Sequence, residues 1–309
     1  MLPPIDRRSL VLGGAALLAA PAIAQRKMPL VFAFQPQKEP AKIQKAADDV
    51  AEALSGRLGR EVKVLVPLAY AATVQALVSK RADVAWLSSL PFLLARRDGG
   101  ARLILAEVRS DTRGQARTDY DSVFVVKRDS PLHNFADFKR QAKTLRMVFT
   151  SNTSTSGFVF PYDRMVREGM LRRAQPPEQA FRSADYAGGY TQALEQILSG
   201  RGDVCAVSDY TVEGPRRTVY LPEDKQAQLR ILARTPGVPT HCVAVSAGVS
   251  AADAKAIQAA LLDMTRTSPA LLSDVYGASG LKVVNEAAHV AATVKAIERT
   301  GLPIQGLVK

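Results

Sequence analysis

Phe149-Thr150-Ser151-Asn152-Thr153-Ser154-Thr155-Ser156-Gly157-Phe158-Val159-Phe160-Pro161 is the stretch on which the fold turns. The apolar run Leu145 to Phe149 before it reads as a buried strand, and Phe160, Met165, Val166, Met170 and Leu171 after it have helical spacing. Between strand and helix lie seven consecutive hydroxyl or amide side chains and one glycine. Such a junction is a natural anion cradle. The N–H groups that open a helix have no intrahelical acceptor, and the helix dipole favours negative charge there. Ser and Thr add donors without adding charge. Capping would account for one hydroxyl; the four from Thr153 to Ser156, followed by Gly157, exceed what a cap uses. The stretch predicts an oxyanion site over which the rest of the chain closes.

Strand and helix alternate outward from this point. Leu30 to Phe34, Val62 to Val66, Val84 to Leu87 and Leu103 to Val108 read as strands, with helices from Ala41 to Leu58, Ala72 to Lys80 and Pro91 to Arg97 between them. A second unit runs from about Phe135 to Leu232. In it the helix Tyr190 to Leu198, the turn Gly200-Arg201-Gly202-Asp203 and the strand Val204 to Val207 echo Gln75 to Ala85 of the first. This alternation predicts an α/β protein of two lobes, each a mostly parallel sheet flanked by helices. Lobe 1 is expected over 25–122, lobe 2 over 123–243, and a return to lobe 1 with C-terminal helices over 244–309. Ser122 to Val126 and Thr240 to Val245 would form a two-strand hinge. Both echoed strands end in polar residues, Ser88-Ser89 and Ser208-Asp209-Tyr210. Ligands in open α/β sheets gather at the carboxyl ends of strands, so a cleft between the lobes is the expected site.

The first residues carry a different signal. Arg7 and Arg8, an apolar run from Leu10 to Ala20, and Ala22-Ile23-Ala24 before Gln25 have the layout of an export signal peptide over 1–24. The paired arginines resemble a twin-arginine signal, although Asp6 and Val11 depart from it and leave the general export route open. No cysteine near the cleavage site offers a lipid anchor. A periplasmic location is expected.

The 309 residues carry a formal charge of +12, and removal of Asp6, Arg7 and Arg8 with the signal takes one positive charge away. Lys and Arg are scattered, without an aromatic-interleaved basic stripe, which argues against nucleic acid and suits the steering of small anions. Cys205 and Cys242 sit in apolar runs, where a disulfide and two buried thiols are both open. With His133, His241 and His289 they give no metal-ligand spacing. No nucleophile accompanied by a base, no G-x-S-x-G, no H-E-x-x-H and no P-loop occurs. Ser156 near Gly157 is a nucleophile only formally, and no enzyme activity and no cofactor are expected.

Several motifs in order resemble the phosphate, phosphite and phosphonate binding proteins of ABC importers, the PhnD-like family. They are Phe34-Gln35-Pro36-Gln37, Tyr70-Ala71-Ala72, Asp83-Val84-Ala85-Trp86-Leu87-Ser88-Ser89, Tyr120-Asp121-Ser122, Ser154-Thr155-Ser156-Gly157, Ser208-Asp209 and Pro239-Thr240-His241. The resemblance implies a type II periplasmic binding fold and, as partners, a small oxyanion ligand and the permease and ATPase of a transporter, with the chain a monomer. It implies that Ser154, Thr155 and Ser156 hold the oxyanion from the second lobe together with Tyr190. Gln37, Tyr70, Ser88, Ser89 and Tyr120 would meet it from the first. Asp209 would accept from a ligand ammonium or a protonated oxygen. Three departures bear on the ligand: Tyr190 where the family commonly has histidine, Ser88-Ser89 where it often has glycine-proline, and Phe92 where many members have tyrosine. The same scaffold also serves related sensors that bind arsenite through a cysteine and signal to a membrane histidine kinase, which makes sensing the alternative expectation.

Overall fold

The structure is a computed structural model and describes residues 28–304. The expected signal peptide over 1–24 lies outside the described residues. Among those described, no helix is long and apolar enough to cross a membrane.

In chain order the regular elements begin with β1 (Leu30–Phe34), α1 (Pro40–Leu58), β2 (Val62–Leu65), α2 (Tyr70–Val78), β3 (Val84–Leu87), α3 (Ser89–Gly99), β4 (Arg102–Ser110), β5 (Ala116–Arg117) and β6 (Asp119–Lys127). Next come α4 (Phe135–Gln141), β7 (Arg146–Phe149), a π-helical turn over Thr155–Val159, α5 (Phe160–Arg167), β8 (Ser183–Tyr186), α6 (Tyr190–Leu198), β9 (Val204–Ser208) and α7 (Glu223–Gln226). The last are β10 (Leu229–Pro239), β11 (Cys242–Val245), α8 (Ala251–Thr267), α9 (Pro269–Tyr276), β12 (Gly280–Lys282) and α10 (Glu286–Thr300).

Two sheets result. The first has the order β12-β4-β11-β3-β1-β2, with β5 paired to β4; the second has the order β10-β6-β9-β7-β8. Strands joined through helices pair in parallel: β1 with β2 and β3, and β7 with β8 and β9. Strands next to the crossings pair antiparallel: β11 with β3 and β4, and β6 with β9 and β10. The chain leaves the first sheet after Arg117 and returns between Pro239 and Cys242. The expected bounds at 122/123 and 243/244 therefore fall inside β6 and β11, a few residues past the changes of sheet.

Pro236-Gly237-Val238-Pro239, which precede the expected hinge strand Thr240 to Val245, belong to β10. Among the described residues this edge strand pairs only with β6, and it carries irregular register between Thr235 and Val238. An edge strand with a bulge is where prolines, which cannot donate to a ladder, are tolerated. Ile43, Ala47, Val50 and Leu54, at helical spacing on one face of α1, are buried, and α1 ends at Gly59 in the left-handed conformation.

The C-terminal portion does not all return to the first lobe. Helices α8 and α9 pack on it, against α1 and β12. Helix α10, capped by Asn285, instead lies against α5 and β10 of the second lobe while also touching α3 of the first. Arg299 near its end forms two hydrogen bonds, of 2.7 and 2.9 Å, to the Asp163 carboxylate on α5, which also accepts from Arg167 at 3.0 Å. Thr293 in the middle of α10 meets Ser89 at 2.8 Å. One apolar cluster therefore runs continuously from Ala33, Val74 and Leu90 through Val290 and Ala296 to Phe149, Val159 and Met165.

Asp163 is 1% exposed and serves two guanidiniums. Asp163→Ala is expected to destabilise the fold by about 2 kcal/mol, because it removes the acceptor shared by both arginines. Chemical unfolding followed by circular dichroism checks this; an unchanged midpoint would mean that α10 is held by its apolar contacts alone.

Candidate ligand-binding site

Four helices begin at the carboxyl ends of strands from the two sheets, and their first residues meet. Helix α2 opens at Tyr70, α3 at Ser89, the turn leading into α5 at Thr155, and α6 at Tyr190. Ser154 is the N-cap of the Thr155 turn: its Oγ accepts from Gly157 N–H at 3.0 Å. Gly157 is required here, since a Cβ would sit 2.2 Å from Thr150 Oγ1. Thr155 caps a helix of the other lobe. Its Oγ1 accepts from Leu90 N–H at 2.8 Å and from Ser89 Oγ at 3.3 Å. The bonds Ser154 and Thr155 make are thus cap bonds, one within its own turn and one across the lobes. The N–H groups of Thr155 and Ser156 still open the turn, where no earlier helical carbonyl exists to receive them.

Ser156 is the hub. Its Oγ lies 2.8 Å from Tyr190 Oη and accepts from Tyr120 Oη at 3.2 Å, while its carbonyl accepts from Ser122 Oγ at 2.7 Å. Tyr190 N–H donates to Gln37 carbonyl at 2.9 Å, so the two lobes are in direct contact. Gly189 makes this approach possible, because a Cβ there would stand 3.1 Å from the Pro36 carbonyl oxygen. Ser88, Ser89, Ser154, Thr155 and Ser156 are all fully buried. The structure therefore brings together Tyr70, Ser88, Ser89, Tyr120, Ser154, Thr155, Ser156 and Tyr190.

Gln37 is buried too, but its side chain is engaged by protein groups. Its Oε1 accepts from Tyr210 and Tyr220, each at 3.2 Å, and its Nε2 lies 3.0 Å from His241 Nε2. His241 Nδ1 lies 2.9 Å from Glu107 Oε2, and Glu107 Oε1 accepts from Arg109 at 2.7 Å. Burial favours the neutral acid of Glu107, yet Arg109, then His241, outweigh it and hold its pKa below the ordinary range. Burial likewise lowers the pKa of His241 against the pull of Glu107. Neutral His241 donating from Nδ1 to the carboxylate and accepting from Gln37 fits both directions. The Arg109 guanidinium lies 3.4 Å from the centre of the Tyr210 ring. Gln37 thus locks the hinge side of the cleft.

The glutamine that faces the helix starts is Gln35, two residues earlier. Its Oε1 accepts from Ser88 N–H at 3.0 Å and Ser88 Oγ at 3.3 Å. Gln35 Nε2, Tyr70 Oη and Ser208 Oγ are buried with no hydrogen-bond partner among the described residues. Burial, then Tyr190, pushes the Tyr70 hydroxyl pKa well up, and the nearby Gln35 amide acts in the opposite direction. The signal for Gln35 was in the sequence, in a quoted motif with two glutamines, but both lie past the end of β1, where a tight turn closed by Gln37 N–H on the Gln35 carbonyl at 2.9 Å sends their side chains to different partners.

Asp209 takes another place. Its carboxylate accepts from the N–H groups of Asp121 at 3.1 Å and Tyr210 at 2.7 Å. It lines a cavity of about 670 Å³ together with Tyr120, Asp121, Tyr210, Glu213 and Arg234. In the β6–β9 pair Ser122 lies opposite Ser208, and among the described residues no hydrogen bond joins Asp209 to the hydroxyl turn. Burial pushes its pKa up to about 6. Cys205 and Cys242 are free, fully buried and in different sheets, and burial pushes both thiol pKa values up. Neither offers a thiolate to a ligand.

Residues 32–292 match the family described as "ABC transporter, phosphonate, periplasmic substrate-binding protein". The chain belongs to that family. It is 26% identical over 215 residues to the probable ABC transporter phosphite binding protein PhnD1 of Prochlorococcus marinus, covering 67% of this chain and 68% of that one. It is 22% identical to the phosphate-import protein PhnD of Mycolicibacterium smegmatis, covering 60% of this chain and 56% of that protein. The structure resembles a binding protein component of an ABC phosphonate transporter from Pseudomonas aeruginosa, with a TM-score of 0.77 at 16% identity over 90% of this chain and 89% of that one. That likeness concerns the fold: two lobes of mixed α/β structure, as in type II periplasmic binding proteins.

Asp209 gives the site a pH signature. A folded pKa above the unfolded 3.8 means that its contribution to stability is fully present below about pH 4 and is lost as pH rises through about 6. Asp209→Asn is therefore expected to match the wild type near pH 4 and to be more stable by roughly 1–3 kcal/mol near pH 8. Urea unfolding at both pH values tests it. A constant difference across the range would show that the buried carboxyl does not titrate as argued.

Proposed function

We propose that this chain captures a phosphorus oxyanion (a phosphonate, phosphite or phosphate) between its lobes and delivers it to the permease and ATPase of an ABC importer from the periplasm. The observation that supports this most is the meeting of four helix starts around Ser156. Their N–H groups and dipoles favour an anion, and the hydroxyls and the Gln35 amide around them supply further donors without a permanent charge. Ser154 positions the turn, Thr155 ties it to α3, and Ser156, Tyr70, Tyr120 and Tyr190 face the ligand. Asp209 and Asp121 border the neighbouring cavity, which Tyr120 shares, so Asp209 is assigned to a ligand's substituent, such as an ammonium, rather than to its oxyanion. Closure is a hinge motion about the two crossings. The arsenite sensor expectation rested on a cysteine, and both thiols are buried within sheets. The chain acts by stoichiometric binding rather than turnover, and as a monomer.

A thermal-shift panel of phosphate, phosphite, methylphosphonate, 2-aminoethylphosphonate, sulfate and arsenite tests the reading. A ligand at a hundred times its dissociation constant adds about 2.7 kcal/mol, so a phosphorus ligand is expected to raise the midpoint by degrees. Ser156→Ala is expected to weaken the best ligand by about 1.5–3 kcal/mol in calorimetry, the usual worth of a hydrogen bond to a charged group. No shift with any phosphorus oxyanion, or full affinity in Ser156→Ala, would overturn the assignment.

A further inference from the structure

Three buried polar atoms of the cleft lack a hydrogen-bond partner among the described residues: Gln35 Nε2, Tyr70 Oη and Ser208 Oγ. Gln35 is the informative one, because the direction of its amide is fixed. Ser88 N–H can only donate, so the atom 3.0 Å from it is the carbonyl oxygen of the amide, and Ser88 Oγ points at the same oxygen. The NH2 end is thereby turned away from the start of α3. The side chain is fully buried, at the carboxyl end of β1. Its backbone is pinned on both sides: its N–H donates to Trp86 carbonyl at 3.2 Å, and its carbonyl accepts from Tyr276 Oη at 2.7 Å. A buried amide held this rigidly, with a donor end that makes no hydrogen bond although the Tyr70 hydroxyl lies close by, is placed to meet an acceptor brought by a ligand.

We propose that Gln35 contacts the ligand and sets part of its specificity, donating from Nε2 to an ionised oxygen of the bound anion. The inference rests on the oxyanion reading above and adds to it the chemistry required of one ligand atom. With its oxygen committed to Ser88, Gln35 offers only a donor. An ionised oxygen is accepted at that position, while a P–OH proton or an ammonium hydrogen directed there meets N–H. Discrimination of this kind is strong where a buried polar group would be left facing the wrong partner. Tyr70 and Ser208, which can donate or accept, complete the set without imposing the same restriction.

Two variants test it by calorimetry with phosphite, methylphosphonate and inorganic phosphate. Gln35→Leu removes the donor and is expected to weaken the tightest of the three at least tenfold. Gln35→Glu keeps an acceptor for Ser88 N–H but replaces the donor by an anionic oxygen. It is expected to lose at least a hundredfold near pH 8 and to regain affinity, relative to the wild type at the same pH, as the pH falls and the carboxyl becomes a donor. Affinity in Gln35→Glu within threefold of the wild type near pH 8 would overturn the proposal. So would an equal loss at every pH, which is the mark of a residue that only caps α3. Wild-type protein that binds none of the three would overturn the oxyanion reading and this proposal with it, whereas normal wild-type binding with unaffected variants would overturn this proposal alone.

Discussion

The N–H groups that open a helix must find acceptors, and in this chain four helices start within one cleft. Three of the starts are answered, each differently. Leu90 N–H of α3 is received by Thr155 from the opposite lobe, Gly157 N–H by Ser154 of its own turn, and Tyr190 N–H by the carbonyl of Gln37 across the cleft. The contact between the lobes and the field of the helix starts, which favours negative charge, therefore have one origin. The donors left after this mutual capping are the ones a ligand can use.

Around that cleft stands a second, charged arrangement that does not touch the hydroxyl turn. Glu107, Arg109 and His241 form a buried network whose ends are Gln37 on one side and the Tyr210 ring on the other. Isolated buried charges are costly; here the carboxylate has two partners and the guanidinium stacks on an aromatic face. The network lies beside the crossings between the two sheets, and its charges are paired with one another rather than with the hydroxyl turn.

Much of this was legible in the sequence. The hydroxyl run between an apolar strand and a helical pattern located the turn, and the echo between Gln75–Ala85 and Gln192–Ala206 located the matching strand ends in both lobes. What escaped were the features that depend on which face a side chain takes. Spacing does not tell whether Gln35 or Gln37 turns inward, and it places Asp209 beside Ser208 although the chain bends there into a turn that carries the carboxylate to a separate cavity. The prolines of β10 hid a strand because an edge position, invisible in one dimension, is what makes them acceptable. The caps made by Ser154 and Thr155 show a further limit: composition announces hydroxyls but not whether a ligand or a neighbouring helix will use them.

The route of α10 has a consequence for how the protein comes to exist. Arg299, which clasps Asp163 in the second lobe, follows it by 136 residues and lies on a helix made after the strands of both sheets. Each sheet can assemble as its own strands emerge, since chains are made from the N-terminus and domains fold as units. The two lobes, however, cannot make the contacts that run through α10 until that helix has followed them out. The joining of the lobes thus comes after the building of each, timed by the arrival of α10.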